Sequence, residues 1–440
     1  MLILWLILSV VAIVLLTVRC KLHPFVALLL VALAYGFLAG IPTQQIIQSV
    51  NEGFGKTLGG IGLLIVLGVI IGAFMENTGA AYAIAEWVLK KVGRHQVPQS
   101  MGLMGYFVSI PVFADSGFLL LQPLNKSLSK KAGLSLAGTA VALAMGLTAS
   151  HTMVPPTPGP IAAAGILGAD LGLVLMLGIP VSLLALGVTL VFAVKSAAKI
   201  WIDPNPDMDE QQLLKLQQSA PGVGLASLPV IVPIVLILSR SLLNALQWQG
   251  MVVDIVMFVG EPFIALLVGV FLSLLLPQKL HTEMLSTEGW IGKALSSSAS
   301  IILITGAGGI FGKMLQNSGI AQLLGDLLSD VNLGIFLPFL LAAAIKSAQG
   351  SSTVALITTA SIMLPLAETL GFSSELQKAM LVIAIGAGSA VISHANDSFF
   401  WVVTQMSGMD VKQGYRLHSL GTLILGSSAV LFLFIIDLVF

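Results

Sequence analysis

Hydrophobic residues run along this chain in long unbroken blocks, and polar residues gather at the block ends or in a few sharp interruptions. Crossing the roughly 30 Å of bilayer hydrocarbon as a helix takes about 20 apolar residues. Blocks that meet this lie near 2–18, 23–41, 58–75, 171–194, 223–239, 251–276 and 419–438. Five further blocks, 99–130, 134–167, 298–315, 333–367 and 377–407, are interrupted at mid-depth by Gly, Pro, Ser or charge. One hydrophilic stretch, WIDPNPDMDEQQLLKLQQSAPG at 201–222, divides the chain near its middle. The pattern predicts an all-α polytopic membrane protein with a first half at 1–200, a cytoplasmic linker at 201–222 and a second half at 223–440.

The halves correspond. Asn77-Thr78-Gly79 recurs as Asn317-Ser318-Gly319, and Gly168-Ala169-Asp170 recurs as Gly408-Met409-Asp410, both at an offset of 240; Gly72 and Gly146 pair with Gly312 and Gly386 at the same offset. Several matches at one offset point to duplication. Lys90, Lys91 and Arg94 precede the segment at about 98–131, and Lys126, Lys130 and Lys131 close it. Basic flanks belong in the cytoplasm, so both ends lie on one side. The segment then reads as a re-entrant hairpin whose tip is buried in protein, the setting in which irregular backbone is tolerated at membrane depth. The matching segment, about 333–367, is flanked by Asp326, Asp330, Glu368 and Glu375, so its ends are expected outside. Hairpins entering from opposite faces make two inverted-topology repeats. Each would also hold a broken crossing helix, at about 134–167 and 377–407. The first block is followed by Arg19 and Lys21 with no small-residue cleavage site, so it reads as a retained span, and both termini are expected in the periplasm.

Composition narrows the class further. The chain is 57% hydrophobic and 9% charged, with mean hydropathy +1.01, whereas soluble domains carry about a quarter charged residues. Zero net charge gives no field for nucleic acid. The lone Cys20 leaves neither a disulfide framework nor a cysteine metal cluster.

The interruptions carry the candidate chemistry: SIPVFADSG (109–117), TASHTMVPPTPGP (148–160), KSAQGSST (346–353) and SHANDS (393–398). Broken helices expose free N–H and C=O groups that hold anions and cations. Lys346 is the one cation deep in an apolar block, and it precedes small hydroxyl residues and a new helix start. It predicts an anion site, with two alternatives: snorkelling to the interface, or neutralising Asp115 or Asp397. Asp115 and Asp397 are candidate proton carriers, because a carboxylate at membrane depth is costly unless paired or protonated; each reads equally as a structural ion pair or cap. His151 and His394 suit substrate hydroxyls, proton transfer or ordinary hydrogen bonding, and four groups from four segments lack metal-ligand spacing, so no metal is expected. Four prolines within 155–160 must unwind the crossing there, unless that stretch is a loop outside the membrane. Gly306-Ala307-Gly308-Gly309-Ile310-Phe311-Gly312 mimics a nucleotide loop but has no strand before it, and close helix packing explains it better. Asp203, Asp207, Asp209 and Glu210 read as solvated linker residues, Glu76 as a helix-end residue and Glu86 as part of an interfacial helix.

IPVFADSGFLLLQPL (110–124), SHTMVPPTPGP (150–160), SAQGSSTVALITTA (347–360) and SHANDSFFW (393–401) resemble the gluconate permease family of proton-coupled symporters. The resemblance covers nearly the full chain, from HPFVALLLVALAYGFLAG (23–40) onward. It implies membership of the wider ion transporter superfamily, an inverted-repeat fold with scaffold and transport parts, a homodimer, elevator-like movement and a place in the bacterial inner membrane. No cofactor is implied beyond the proton gradient, with Na⁺ as the alternative. Members carry gluconate and related sugar acids, short hydroxy acids or D-serine. On this reading a small carboxylate binds between the tips. Its carboxylate would meet Lys346 and the amides and hydroxyls of Ser351, Ser352 and Thr353, while its hydroxyls would meet Ser116, His151, Thr152, His394 and Asn396; Gly117, Gln349 and Gly350 complete the expected site. Asp115 or Asp397 would carry the proton. An intramembrane hydrolase would need Ser150 bonded to a base, yet its neighbour His151 points elsewhere on a helix. A channel would not concentrate its solute.

Overall fold

The computed structural model describes residues 1–92, 96–204, 220–320 and 333–439. Arg94, the linker residues Asp207, Asp209 and Glu210, and the flanking Asp326 and Asp330 lie outside the described residues. The first half runs through α1 (Leu2–Val18), α2 (Pro24–Leu38), α3 (Thr43–Asn77), α4 (Ala80–Val92), α5 (Val97–Ser109), α6 (Ala114–Lys131), α7 (Leu136–Met153), α8 (Pro158–Leu167) and α9 (Leu171–Lys195). The second holds α10 (Val223–Ala245), α11 (Met251–Val259), α12 (Pro262–Ser273), α13 (Trp290–Asn317), α14 (Phe336–Gln349), α15 (Ser352–Met363), α16 (Glu375–Ala390), α17 (Ser398–Met406) and α18 (Leu420–Asp437). Among the described residues, 6 helical paths are long and apolar enough to cross a membrane, or 7 if α11 and α12 count as one bent span.

Helix length separates crossings from shorter arms. At about 1.5 Å per residue, helices of 12 to 14 residues reach only ~18–21 Å, short of the hydrocarbon. The 13 residues of α5, 14 of α14 and 12 of α15 fall in this range, whereas α6 runs for 18. By contrast, α7 and α8 lie on one 32-residue path that is 94% buried, although residues 154–157 interrupt it. The prolines there break the hydrogen-bond ladder within that path and not in a loop beside it.

Positions 240 residues apart share local geometry. Gly79 and Gly319 close α3 and α13 with φ of +76° and +73°, and Gly168 and Gly408 adopt +66° and +67°. Asp170 caps α9 by accepting from the Leu173 amide at 2.8 Å, and Asp410 accepts from the Gln413 amide at 2.7 Å. A short polar side chain two residues after a left-handed glycine thus restarts the helix in both places.

Four blocks differ from the hydropathy reading, and two of them, 2–18 and 23–41, expected as spans, form helices of only 17 and 15 residues. The block at 251–276, expected as one span, bends by 67° between α11 and α12. Pro262 has no amide to continue the ladder and holds Glu261 extended, at φ −55° and ψ 126°; Arg240 then fixes the Glu261 carboxylate at 2.6 Å. The block at 298–315, expected to be interrupted, lies inside the continuous α13. Its glycines let α13 close on α3, with Gly309 against the Gly53 backbone and Thr57.

Candidate functional site

Helix ends converge on a cavity of about 320 Å³ in the described protein. Three helices begin at its wall: α6 with Ala114 and Asp115, α15 with Ser352 and Thr353 after the cap Ser351, and α17 with Ser398 and Phe399 after the cap Asp397. First-turn amides have no preceding carbonyl to accept them, and each helix start carries partial positive charge. Three starts aimed at one space favour an anion there. Three other helices reach the wall near their C-termini: α7 through Thr148 and His151, α14 through Lys346 and Gln349, and α16 through Ala390.

Lys346 is 1% exposed, so it does not snorkel. Its ammonium donates to the Gly350 carbonyl and, at 2.5 Å, to Asp397 Oδ2. Of the two acids available, the structure pairs it with Asp397. Ser393 Oγ donates to the same Oδ2 at 2.5 Å, while Asp397 Oδ1 accepts from the Phe399 amide at 3.0 Å. One carboxylate therefore serves as ion-pair partner and helix cap together. Asp115 is half-buried in the first turn of α6 and accepts from Ser398 Oγ at 3.4 Å.

Several polar atoms of the wall have no partner among the described residues: His151 Nδ1, Gln349 Nε2 and Asn396 Oδ1. Leaving such groups unsatisfied when buried costs about 1–3 kcal/mol each. All three belong to residues that line the cavity. Asn396 is held from its other end, since Nδ2 donates to the Ser347 carbonyl at 2.9 Å.

Asp115, His151, Lys346, Gln349, Gly350, Ser351, Ser352, Thr353, Asn396 and Asp397 all line the cavity. Ser116, Gly117, Thr152 and His394 do not. Each residue of a helix advances about 100° around its axis, so Ser116 and Gly117 turn away from Asp115. Ser116 faces Glu76 at the end of α3, and Gly117 packs beneath Leu147. Thr152 Oγ1 donates back to the Thr148 carbonyl at 2.9 Å. His394 Nε2 lies 2.7 Å from the Ser347 carbonyl, and its ring stacks on Tyr415. Among the described residues no three of His, Cys, Asp and Glu gather closely enough to hold a metal ion.

A family model described as GntP family permease matches residues 1–439. The gluconate permease of Pseudomonas aeruginosa is 33% identical over 98% of this chain and 96% of its own length. The chain belongs to the GntP family of permeases. The D-serine transporter DsdX of Escherichia coli strain K12 is 32% identical over 95% of this permease and 94% of its own length. Among solved structures, the YdaH transporter of Alcanivorax borkumensis has the same fold, with a TM-score of 0.65 at 16% identity over 94% of this chain and 98% of that one. The permease is thus a multi-pass membrane protein built on a transporter fold.

Sequence reasoning passed over Thr148, Ser393 and Ser398 as site residues. Thr148 lies three residues before His151 on one face of α7, a spacing that identifies it once His151 is placed. Ser393 and Ser398 bracket the quoted SHANDS break. His418 lies beyond the break, directly ahead of the apolar block at 419–438, and gave no signal.

Proposed function

We propose that this permease imports a small sugar acid or hydroxy-carboxylate such as gluconate into the bacterial cytoplasm, coupled to protons. The observation that carries this reading is the meeting of three helix N-termini and Lys346 on one cavity of about 320 Å³. That volume sits at the lower end of the roughly 300–1,000 Å³ of small-molecule sites. A carboxylate would lie against Lys346 and the first turn of α15, and hydroxyls would satisfy His151 Nδ1, Gln349 Nε2 and Asn396 Oδ1. Asp115 and Asp397 are the candidate proton carriers. Symport of one monoanion with one proton is electroneutral and uses the pH gradient; each additional proton adds about 2.3 kcal/mol per 100 mV of membrane potential. The short hairpin arms and broken crossings support inverted repeats moving in an elevator-like way in the inner membrane. Family resemblance supports a homodimer, and the charge pattern supports periplasmic termini.

A second reading of the same fold is transport of D-serine or another zwitterion, with sodium as the coupling ion. Asp115 favours the zwitterion, because its carboxylate offers an ammonium partner at the cavity wall and has only a long bond to Ser398. Hydrolysis lacks its essential contact: Ser150 Oγ has no hydrogen-bond partner among the described residues, His151 included.

Uptake of labelled gluconate into proteoliposomes, challenged with other aldonates, glycerate and D-serine, separates these readings. Sugar acids are expected to compete strongly and D-serine weakly, with accumulation driven by a pH gradient without sodium. Strong competition by D-serine, or a sodium requirement, would replace the first reading with the second. Asp115→Asn is expected to retain pH-driven accumulation if Asp397 and its partners carry the proton. Complete loss of accumulation with exchange intact would assign the proton to Asp115.

A further inference from the structure

Behind the cavity, the Lys346–Asp397 pair continues into a buried polar chain that ends at a histidine outside the cavity wall. Ser393 Oγ, which donates to Asp397 Oδ2, lies 3.0 Å from His418 Nε2. Since the ionised Asp397 can only accept, the Ser393 proton points to Asp397, and His418 Nε2–H donates to Ser393. That leaves the lone pair on His418 Nδ1. His418 is 0% exposed, and its Nδ1 has no partner among the described residues. Its ring is packed against Phe399 and Phe400.

The local backbone holds this chain in register. His418 lies in a single π turn, Tyr415–Ser419, at the start of α18; such turns displace side chains by one position and recur at functional sites. The turn and the helix after it hold every polar group of Ser393 that faces them. Besides the His418 contact, Thr422 Oγ1 accepts from the Ser393 amide at 3.0 Å, and Ser419 Oγ donates to the Ser393 carbonyl. A serine clamped at three atoms is a fixed bridge between Asp397 and His418.

Charge balance gives the bridge a purpose, provided the substrate is a carboxylate as proposed above. In the structure Lys346 and Asp397 neutralise each other. A substrate carboxylate that takes Lys346 strips Asp397 of its counterion, and an uncompensated buried charge is strongly unfavourable. The titratable groups facing Asp397 are Lys346 from α14, Asp115 from α6, His151 from α7 and His418. Of these, His418 alone reaches Asp397 through a bonded bridge and has an empty acceptor on its far side.

We propose that His418 is the proton-holding residue of this permease: when a substrate carboxylate takes Lys346, His418 binds one proton at Nδ1 and replaces Lys346, through Ser393, as the counterion of Asp397. The proton comes from a hydronium ion of the solvent, whose O–H bond breaks as the N–H bond at Nδ1 forms, and no bond within the chain is broken. Anion and proton then load together with no change in net charge, and by linkage each raises the affinity for the other.

His418→Gln keeps an N–H donor for Ser393 but cannot take up a proton. The test is calorimetric titration of gluconate into the purified full chain in two buffers of different ionisation enthalpy, which reads protons taken up per anion bound. Wild type is expected to take up about one, and His418→Gln less than about 0.2, with the pH dependence of affinity lost in parallel. Ser393→Ala, which cuts the bridge without touching the imidazole, is expected to behave the same way, and Ser393→Thr to restore uptake. If either His418→Gln or Ser393→Ala still takes up about one proton per anion, the proposal is overturned, and Ser393→Ala decides it should the histidine variant fail to fold. A wild-type protein that binds no carboxylate would instead overturn the carboxylate reading on which the proposal rests.

Discussion

Lys346→Met is expected to weaken gluconate binding about 100-fold, because a charge-assisted hydrogen bond is worth roughly 1.5–3 kcal/mol and each 1.4 kcal/mol is a factor of ten. The same substitution should destabilise the protein. Lys346 and Asp397 are both buried, at 1% and 7% exposure, and removing one partner of such a pair costs about 3–5 kcal/mol by leaving the other charge uncompensated. The two effects separate in a double variant. Lys346→Met with Asp397→Asn removes both charges, so thermal stability in detergent is expected to recover substantially while gluconate binding stays weak. If the double variant bound gluconate as tightly as wild type, the helix N-termini alone would make the anion site. Recovery of neither property would mean that the pair acts mainly by holding the α14–α15 tip against the chain around 396. Lys346→Arg is not a neutral control, since a planar guanidinium cannot occupy the space of an ammonium between the Gly350 carbonyl and Asp397.

The residues that anchor this site were legible for one physical reason: charge and backbone breaks inside apolar blocks are expensive, so each marks a place where something compensates for it. Asp115, His151, Lys346 and Asp397 were all readable in this way, and all four line the cavity. Their partners were not readable. Lys346 and Asp397 are 51 positions apart, and nothing local favours Asp397 over Asp115. Helical phase was a second limit. Ser116 and Gly117 adjoin Asp115 in sequence yet turn to other surfaces, because composition marks a segment whereas the cavity selects one face of it. The third limit is distance along the chain. His418 acquires its place from the Ser393 contact 25 positions away, and a single histidine ahead of an apolar block carries no sign of it. For the fold, the all-helical membrane class and the blocks were plain, but the bend before Pro262 and the continuity of α13 depend on whether an interruption removes an amide or merely removes a side chain. Proline does the first; glycine does the second.

Gly350→Ala tests the same site through its backbone and is expected to abolish measurable uptake. Gly350 ends α14 at φ +92°, and its amide donates to the Lys346 carbonyl at 2.8 Å. A left-handed conformation costs a non-glycine residue about 1–2 kcal/mol, which is tolerable alone. Steric contact costs more, because a Cβ on Gly350 would drive into the carbonyl oxygen of Asn396, closer than side-chain carbons approach a backbone. Neither side of that collision is a flexible side chain, so the tip must move away from residues 396 and 397. Such a movement would pull the Gly350 carbonyl and Asp397 apart, and the Lys346 ammonium now bonds to both. Gly371 provides the control. It has almost the same φ, +90°, but a Cβ there would find no neighbour within 4 Å, so Gly371→Ala carries the strain of a positive φ without the collision. Gly371→Ala is expected to lose stability by about 1–2 kcal/mol and retain uptake, whereas Gly350→Ala should lose uptake even where the protein still inserts and purifies as a monodisperse species. Equal uptake by the two variants would show that close approach of the α14–α15 junction to residues 396 and 397 is dispensable. Anion binding would then have to be sought at the helix N-terminus of α6, which takes no part in that contact.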